Sequence, residues 1–128
     1  MTRILLVEDD ETHRELLQRH LLLEGYQVTS AANGMQAIIL AQSDAPDVIL
    51  MDMGLPLMDG WQATRHLKAL PATRTIPLVA LTAYATREDL ERCRKAGCDA
   101  WETKPIEFPR LWATLRTLLQ QERHVGKP

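Results

Sequence analysis

Four short apolar segments of this sequence each end at polar residues that could act together in one chemical site. The first segment runs into Glu8 and Asp9, the second into Asp52, the third into Thr82 and the fourth into Lys104. Apolar runs of this length, separated by helix-like stretches, are typical of buried parallel strands. Open α/β sheets bind ligands beyond the carboxyl ends of their strands. The sequence therefore predicts that three carboxylates, a hydroxyl and an ammonium meet at one edge of a sheet.

These residue types suit a divalent cation and a phosphoryl group. Crowded carboxylates raise one another's pKa values unless a cation neutralises them. Mg²⁺ prefers oxygen ligands, usually one or two carboxylates together with a phosphate oxygen. The metal, Lys104 and Thr82 could each serve one non-bridging oxygen of a phosphoryl group. Asp52 is the candidate nucleophile that carries this group, because the flexible loop at Gly54 follows it and leaves it accessible.

The intervening segments predict the elements that position these residues. The predicted strands cover residues 3–8, 26–30, 47–52, 77–82 and 100–103, and the predicted helices cover residues 11–24, 33–43, 61–70, 86–96 and a last segment from residue 108. Asn33 and Thr86 are the expected N-caps of two helices, and Gly25 and Gly97 follow helix ends. This alternation predicts a parallel sheet with helices on both faces. We expect one domain over residues 2–121 and a frayed polar tail over residues 122–128.

Some packing expectations are more specific. Leu16, Leu17 and Leu21 are predicted to share the buried face of the first helix, and Trp61 is expected to be partly exposed. The fourth predicted helix has a thin apolar face, in which Cys93 is one of two clearly apolar residues. Two interpretations of that helix stay open: an element that changes conformation beside the site, or a plain solvated surface helix.

Composition narrows the class of protein. The net charge is −2, with 45% hydrophobic and 25% charged residues, which is ordinary for a globular domain and unlike a nucleic-acid or membrane-surface footprint. No apolar run approaches the ~20 residues that span a bilayer, and the first strand leaves no room for a signal peptide. A cytoplasmic protein is therefore expected. Cys93 and Cys98 fit no zinc pattern; we expect reduced thiols, with a disulfide as the alternative.

The motifs together resemble the receiver domain of two-component response regulators. They follow the family's order and spacing over nearly the whole chain, as Leu6-Val7-Glu8-Asp9-Asp10, then residues 52–60, then Leu81-Thr82-Ala83, then Thr103-Lys104-Pro105. The resemblance implies a flavodoxin-like α/β fold with a parallel five-stranded sheet of order 2-1-3-4-5.

The resemblance also implies the role of each acidic residue. Asp52 would accept a phosphoryl group from a phosphohistidine of a sensor histidine kinase or a histidine phosphotransfer protein. Asp9, Asp52 and the backbone carbonyl of Gly54 would bind Mg²⁺, or Mn²⁺ as an alternative, and Glu8 would assist through water.

The remaining implied roles concern the response to phosphorylation. Thr82 and Lys104 would contact the new phosphoryl group, and the bond between Lys104 and Pro105 is expected to be cis. Trp101 stands where the family usually has a Tyr or Phe that turns inward on activation. Because Trp is larger and carries an N–H that needs a partner when buried, a switch at this position stays an open question. Tyr84 would border the phosphoryl group and influence its hydrolysis.

The implied function is a signalling switch, rather than an enzyme that acts on external substrates. Its output would pass to a downstream protein effector through the fourth helix, fifth strand and fifth helix. Direct binding to nucleic acid or membrane is not expected, and the chain would be a monomer or weak dimer. The alternative is a phosphorylation-independent interaction module. A phosphohydrolase would need a second acid where Gly54 stands, and Glu8 and Asp9 would repel a flavin phosphate.

Overall fold

In the computed structural model, strands and helices alternate along the chain. The structure describes residues 1–83 and 85–125, of which 121–125 are described through the backbone alone. The strands are β1 (Arg3–Val7), β2 (Gln27–Ala31), β3 (Val48–Asp52), β4 (Leu78–Thr82) and β5 (Ala100–Thr103), and the helices are α1 (Glu11–Leu23), α2 (Gly34–Asp44), α3 (Gly60–Ala69), α4 (Arg87–Ala96) and α5 (Phe108–Val125). Each predicted element is present, with ends shifted by only a few residues.

The strands form one parallel sheet in the order β2-β1-β3-β4-β5. This is the predicted order, and the fold is the flavodoxin-like α/β fold. The register aligns Val7 of β1 with Met51 of β3, and Asp52 with Leu81 of β4. The carboxyl ends of the three central strands are therefore nearly level, so the residues that follow them meet at one edge.

Alternate residues of the central strands enter two separate cores, one on each side of the sheet. On one side, Leu6 and Leu50 pack with residues of α1 and α5. On the other side, Ile49 and Met51 pack with residues of α2, α3 and α4. Strands that are buried on both faces carry continuous apolar sequence, so short apolar runs in the sequence predicted these strands.

Side-chain caps fix where the helices begin. Asp10, Asn33, Asp59 and Thr86 each accept a hydrogen bond from the backbone N–H three residues further on, which satisfies one of the unpaired donors of the first helical turn. The expected caps at Asn33 and Thr86 are confirmed. The caps at Asp10 and Asp59 also help to fix the loops that follow β1 and β3, the strands that end at the predicted site.

Two packing expectations were wrong in detail. Leu17 and Leu21 are buried on α1, but Leu16 is 49% exposed, because adjacent helical residues point about 100° apart and the sheet covers only one row of α1. Trp61 is buried against the core at 7% exposure, and the Arg92 guanidinium lies 4.5 Å from its ring centroid. Helix α5 runs to Val125, and residues 126–128 lie outside the described residues.

Helix α4 is held by few apolar contacts, as its sequence predicted. Within α4 only Cys93 and Ala96 are buried, and Leu90 is partly exposed. Cys93 and Cys98 are both free thiols. Burial raises the pKa of Cys98 to about 12 and also raises the pKa of Cys93, so both are neutral, weakly nucleophilic groups. Among the described residues, no helix combines the length and apolar character needed to cross a membrane.

The central strand β3 should dominate the stability of the fold. Leu50 is fully buried between the sheet and its flanking helices, so Leu50→Ala removes buried methyl groups and leaves a cavity. We expect a loss of about 2–5 kcal/mol in the free energy of unfolding. Leu23→Ala on α1, where the side chain is 81% exposed, should change it by less than about 0.5 kcal/mol. Urea unfolding followed by circular dichroism measures both variants; equal losses would contradict the two-core description.

Candidate metal and phosphoryl site

The ends of β1 and β3 bring three carboxylates together. Glu8 and Asp9 directly follow β1, and Asp52 is the last residue of β3. One carboxylate oxygen from each of the three residues lies within 4.8 Å of the others. Glu8 and Asp52 are buried, whereas Asp9 is exposed. The structure thus assembles the acidic cluster expected from the sequence and leaves one side of it open to solvent.

Lys104, which follows β5, reaches into this cluster. Its Nζ lies 3.1 Å from Asp52 Oδ1 and 3.4 Å from Glu8 Oε1. Burial opposes the charge of the ammonium, but the Asp52 and Glu8 carboxylates outweigh this effect and raise the pKa of Lys104. Lys104 is therefore a permanent cation at neutral pH, and it supplies one positive charge against three carboxylates.

The carboxyl of Glu8 is strongly affected by its burial and by the neighbouring carboxylate of Asp52. Burial, a hydrogen bond with Asp52 and repulsion from Asp52 raise the pKa of Glu8 to about 7, against the opposing effects of the Asp10 N–H and Lys104. A carboxyl in this state binds a proton near neutrality because burial and the neighbouring Asp52 carboxylate disfavour its charged form. A divalent metal at the same oxygens would restore the charged form, so the donor set fits a hard cation such as Mg²⁺.

The backbone after β3 packs tightly around Asp52. The N–H of Gly54 donates to Asp52 Oδ1 at 3.0 Å, and a Cβ on Gly54 would lie 3.6 Å from that oxygen. A Cβ on Gly60 would lie only 2.5 Å from the carbonyl oxygen of Asp52, so the start of α3 can approach β3 only with glycine there. These contacts fix the loop that follows Asp52, and the absence of a side chain at Gly54 leaves space beside the Asp52 carboxylate.

Thr82 and Lys104 occupy the ends of the adjoining strands. Thr82 is the last residue of β4 and is 5% exposed. Its position follows Leu81, the partner of Asp52 in the sheet, and its carbonyl accepts the N–H of Lys104 at 2.8 Å. The bond from Lys104 to Pro105 is cis. These residues therefore lie at the same edge of the sheet as Asp52.

Trp101 lies apart from this cluster. It belongs to the edge strand β5, and its side chain is 41% exposed. The ring is thus partly at the surface in this conformation. Tyr84, expected to border the phosphoryl group, lies outside the described residues.

Two residues that the sequence interpretation left without a role contact the acidic turn. The Asp10 N–H donates to Glu8 Oε2 at 3.2 Å. Arg14, in the first part of α1, donates to the carbonyl oxygens of Glu8 at 2.9 Å and Asp9 at 3.4 Å. The available signal was a basic residue placed shortly after an acidic run, but that pattern is equally typical of a solvated helix face.

The site opens into a groove between α1 and the segment after β5. The groove has a volume of about 480 Å³ and is lined by Glu8, His13, Leu16, Leu17, Lys104, Pro105, Ile106 and Phe108. A buried carboxylate beside an ammonium and a cation-binding oxygen cluster can act as a nucleophile toward phosphorus. The geometry therefore suits phosphoryl transfer to Asp52 from a donor that approaches this edge.

Comparison with known proteins finds a family match over most of the chain. The family model of the response regulator receiver domain matches residues 4–116. The polar-differentiation response regulator DivK of Brucella anthropi is 39% identical over 116 residues, which cover 91% of this chain and 94% of the relative. DivK of Brucella ovis is 38% identical over the same shares of both chains.

Solved structures give the same result. The receiver domain of a sensor histidine kinase from Pseudomonas aeruginosa, with a magnesium ion in its active-site cleft, has a TM-score of 0.87 and 38% identity, and the match covers 93% of this chain and 98% of that one. A CheY-like receiver domain protein from Methanospirillum hungatei has a TM-score of 0.90 and 26% identity, with 98% and 99% covered. With its family match extending from β1 into α5, the chain belongs to the receiver domains of two-component response regulators, which are signalling switches.

Proposed function

We propose that this receiver accepts a phosphoryl group on Asp52 from a phosphohistidine of a sensor histidine kinase or histidine phosphotransfer protein. The observation that carries the proposal is the position of Asp52 Oδ1, between the Lys104 ammonium and the Gly54 N–H, inside the cluster with Glu8 and Asp9. The unit that folds and signals is residues 2–121. The proposed setting is the cytoplasm, and the chain acts as a monomer or weak dimer.

The transfer can be written as a balanced step. A carboxylate oxygen of Asp52 forms a bond to phosphorus, and the bond between phosphorus and the donor's imidazole nitrogen breaks. The nitrogen keeps the electron pair of that bond, and because the other ring nitrogen of the phosphohistidine carries a proton, the leaving group is neutral imidazole. Lys104 stabilises the negative oxygens of the transferring group, and Thr82 donates a hydrogen bond to one of them after transfer.

The cation that fits the acidic cluster is Mg²⁺, with Mn²⁺ as an alternative that accepts the same oxygen ligands. Asp9, Asp52 and the carbonyl of Gly54 would hold it, and Glu8 would assist through water. When bound, the metal neutralises phosphoryl oxygens and the excess carboxylate charge. The magnesium in the cleft of the Pseudomonas aeruginosa receiver supports this assignment.

Phosphorylation would be read out as a change of surface. The new group adds roughly −1.5 to −2 of charge at an edge where Lys104 and Thr82 already lie. We infer that both residues shift toward it and alter the surface of α4, β5 and α5, which then controls a downstream protein effector. Support comes from the weak burial of α4 and from the partly exposed Trp101 on β5. This surface acts by protein contacts, without direct binding to nucleic acid or membrane.

Replacing the nucleophile should abolish phosphorylation. Incubated with acetyl phosphate and Mg²⁺, the wild-type chain should gain one phosphoryl group, and Asp52→Asn should gain none, because an amide cannot form the acyl phosphate. Intact-protein mass spectrometry measures the product. Asp47→Asn is the matched control, since Asp47 is exposed and precedes β3 at the opposite end of the strand. A phosphorylated Asp52→Asn chain would exclude Asp52 as the acceptor.

Removing one metal ligand should weaken metal binding. Asp9→Asn replaces a charged ligand with a neutral one, so we expect the dissociation constant for Mg²⁺ to rise about tenfold or more. Isothermal titration calorimetry measures the constant. Glu15→Gln removes an exposed carboxylate from α1 and should change the constant by less than about twofold. Equal effects in the two variants would point to general charge attraction instead of a ligand at position 9.

The environment of Trp101 should change on activation. In a Trp61→Phe, Trp112→Phe background, Trp101 is the remaining tryptophan. Adding beryllium fluoride with Mg²⁺, as a mimic of the phosphoryl group, should shift its emission because its exposed fraction changes. The same background with Asp52→Asn should give no shift. An unchanged spectrum in the intact site, with mimic binding verified by calorimetry, would exclude an aromatic switch at this position.

A further inference from the structure

Arg14 ties the first turns of α1 to the strand end that carries the metal ligands. Its Nη1 donates to the carbonyl oxygen of Glu8 at 2.9 Å and lies 3.4 Å from the carbonyl oxygen of Asp9. Arg14 is half-buried, and its own N–H donates to the carbonyl of Asp10 at 2.8 Å. One residue therefore contacts the backbone of three successive acidic residues.

These contacts complete the hydrogen bonding of the turn. β1 ends at Val7, and the N–H of Glu8 still pairs with Ala31 at 3.0 Å. Beyond that point the chain turns into α1, so the carbonyls of Glu8 and Asp9 lie outside the strand ladder. The contact to the Glu8 carbonyl is partly buried, so this oxygen needs a donor, and the Arg14 guanidinium supplies one; the Asp9 carbonyl accepts the same group at the surface. Because the two carbonyls are held, the directions in which the Glu8 and Asp9 side chains leave the backbone are held as well.

The Arg14 guanidinium is suited to holding the backbone carbonyls of Glu8 and Asp9, because it does not occupy their carboxylate oxygens as a second lysine ammonium would. Arg stays charged at all relevant pH values, and here it binds carbonyl oxygens, in contrast to Lys104, which contacts the carboxylates of Asp52 and Glu8. It therefore adds positive charge beside the cluster while leaving the carboxylate oxygens to a metal.

We propose that Arg14 is a positioning residue for the divalent cation, which it serves by fixing the backbone of Glu8 and Asp9. The inference rests on the proposed function, since it presumes that the cluster binds Mg²⁺. Groups that orient metal ligands from outside the coordination sphere typically affect affinity by about tenfold or more when removed. Arg14 should therefore change the dissociation constant for Mg²⁺ and have little effect on phosphorylation once the site is saturated with metal.

The test compares three variants of the whole chain. Arg14→Met removes the donors and the charge, and Arg14→Lys keeps the charge and one donor group. Arg19→Met removes the same charge from an exposed position of the same helix. Calorimetric titration with Mg²⁺ should show affinity about tenfold weaker for Arg14→Met, an intermediate value for Arg14→Lys and the wild-type value for Arg19→Met. The loss should persist in 0.5 M KCl, where long-range charge effects are screened. At saturating Mg²⁺, the rate of phosphorylation by acetyl phosphate should stay close to that of wild type.

The possible failures are distinguishable. If the wild-type chain itself binds no Mg²⁺, the proposed function fails and Arg14 is not at issue. If the wild type binds and Arg14→Met binds equally well, the positioning role is overturned. A loss that vanishes in 0.5 M KCl would overturn it too, because it would then be a remote charge effect. Thermal unfolding followed by circular dichroism shows whether Arg14→Met is folded; if it is not, Arg14→Lys decides, since wild-type affinity in that variant rejects the inference.

Discussion

The excess of negative charge at the carboxyl edge of the sheet is the constraint on which the remaining structure depends. Parallel register places Glu8, Asp9 and Asp52 within one small volume, and Lys104 offsets only part of their charge. Two of the three carboxylates are buried, so water screens their repulsion poorly. The charged cluster is therefore unfavourable on its own: burial first, and then the neighbouring Asp52 carboxylate, raise the pKa of Glu8 to about 7. An arrangement of this kind is suited to binding a cation, because a positive ion relieves the repulsion among the carboxylates.

Keeping the three carboxylates close together requires a rigid backbone at the residues that carry them. Local contacts supply this rigidity at both strand ends. Behind Asp52, the start of α3 approaches so closely that a Cβ at Gly60 would clash with the Asp52 carbonyl. Behind Glu8 and Asp9, Arg14 and the cap at Asp10 hold the turn into α1. The backbone at these positions cannot shift far without disrupting helices that begin within a few residues of it.

The sequence was informative about this edge because strand ends and chemistry coincide there. Short apolar runs marked the strands and the polar residue after each run marked the site, so a parallel sheet and the acidic cluster could be predicted from the residues. The strand order followed from the resemblance to receiver domains. The errors concern contacts that depend on how a helix is rotated against the sheet. Leu16 differs from Leu17 only by that rotation. Trp61 is covered by the packing of α3 and by Arg92 of α4. The Arg14 contacts are with backbone carbonyls, which every residue has, so the residue types could not indicate them.

Helices α4 and α5, on opposite sides of the sheet, differ in how much apolar surface anchors them. This difference affects which of them would move if the charge at Asp52 changed. α5 enters the core through a row of fully buried leucines such as Leu111 and Leu115, so its displacement would expose a large apolar area. α4 buries only Cys93 and Ala96 and adds the contact between Arg92 and Trp61, worth roughly 0.5–1 kcal/mol at an exposed site. Because the anchoring of α4 is small and Thr82 immediately precedes the segment leading to it, α4 is the element that a local rearrangement of Thr82 and Lys104 would displace first. If Asp52 is phosphorylated as proposed, the added charge of roughly −1.5 to −2 would need to supply only a modest free energy to displace α4.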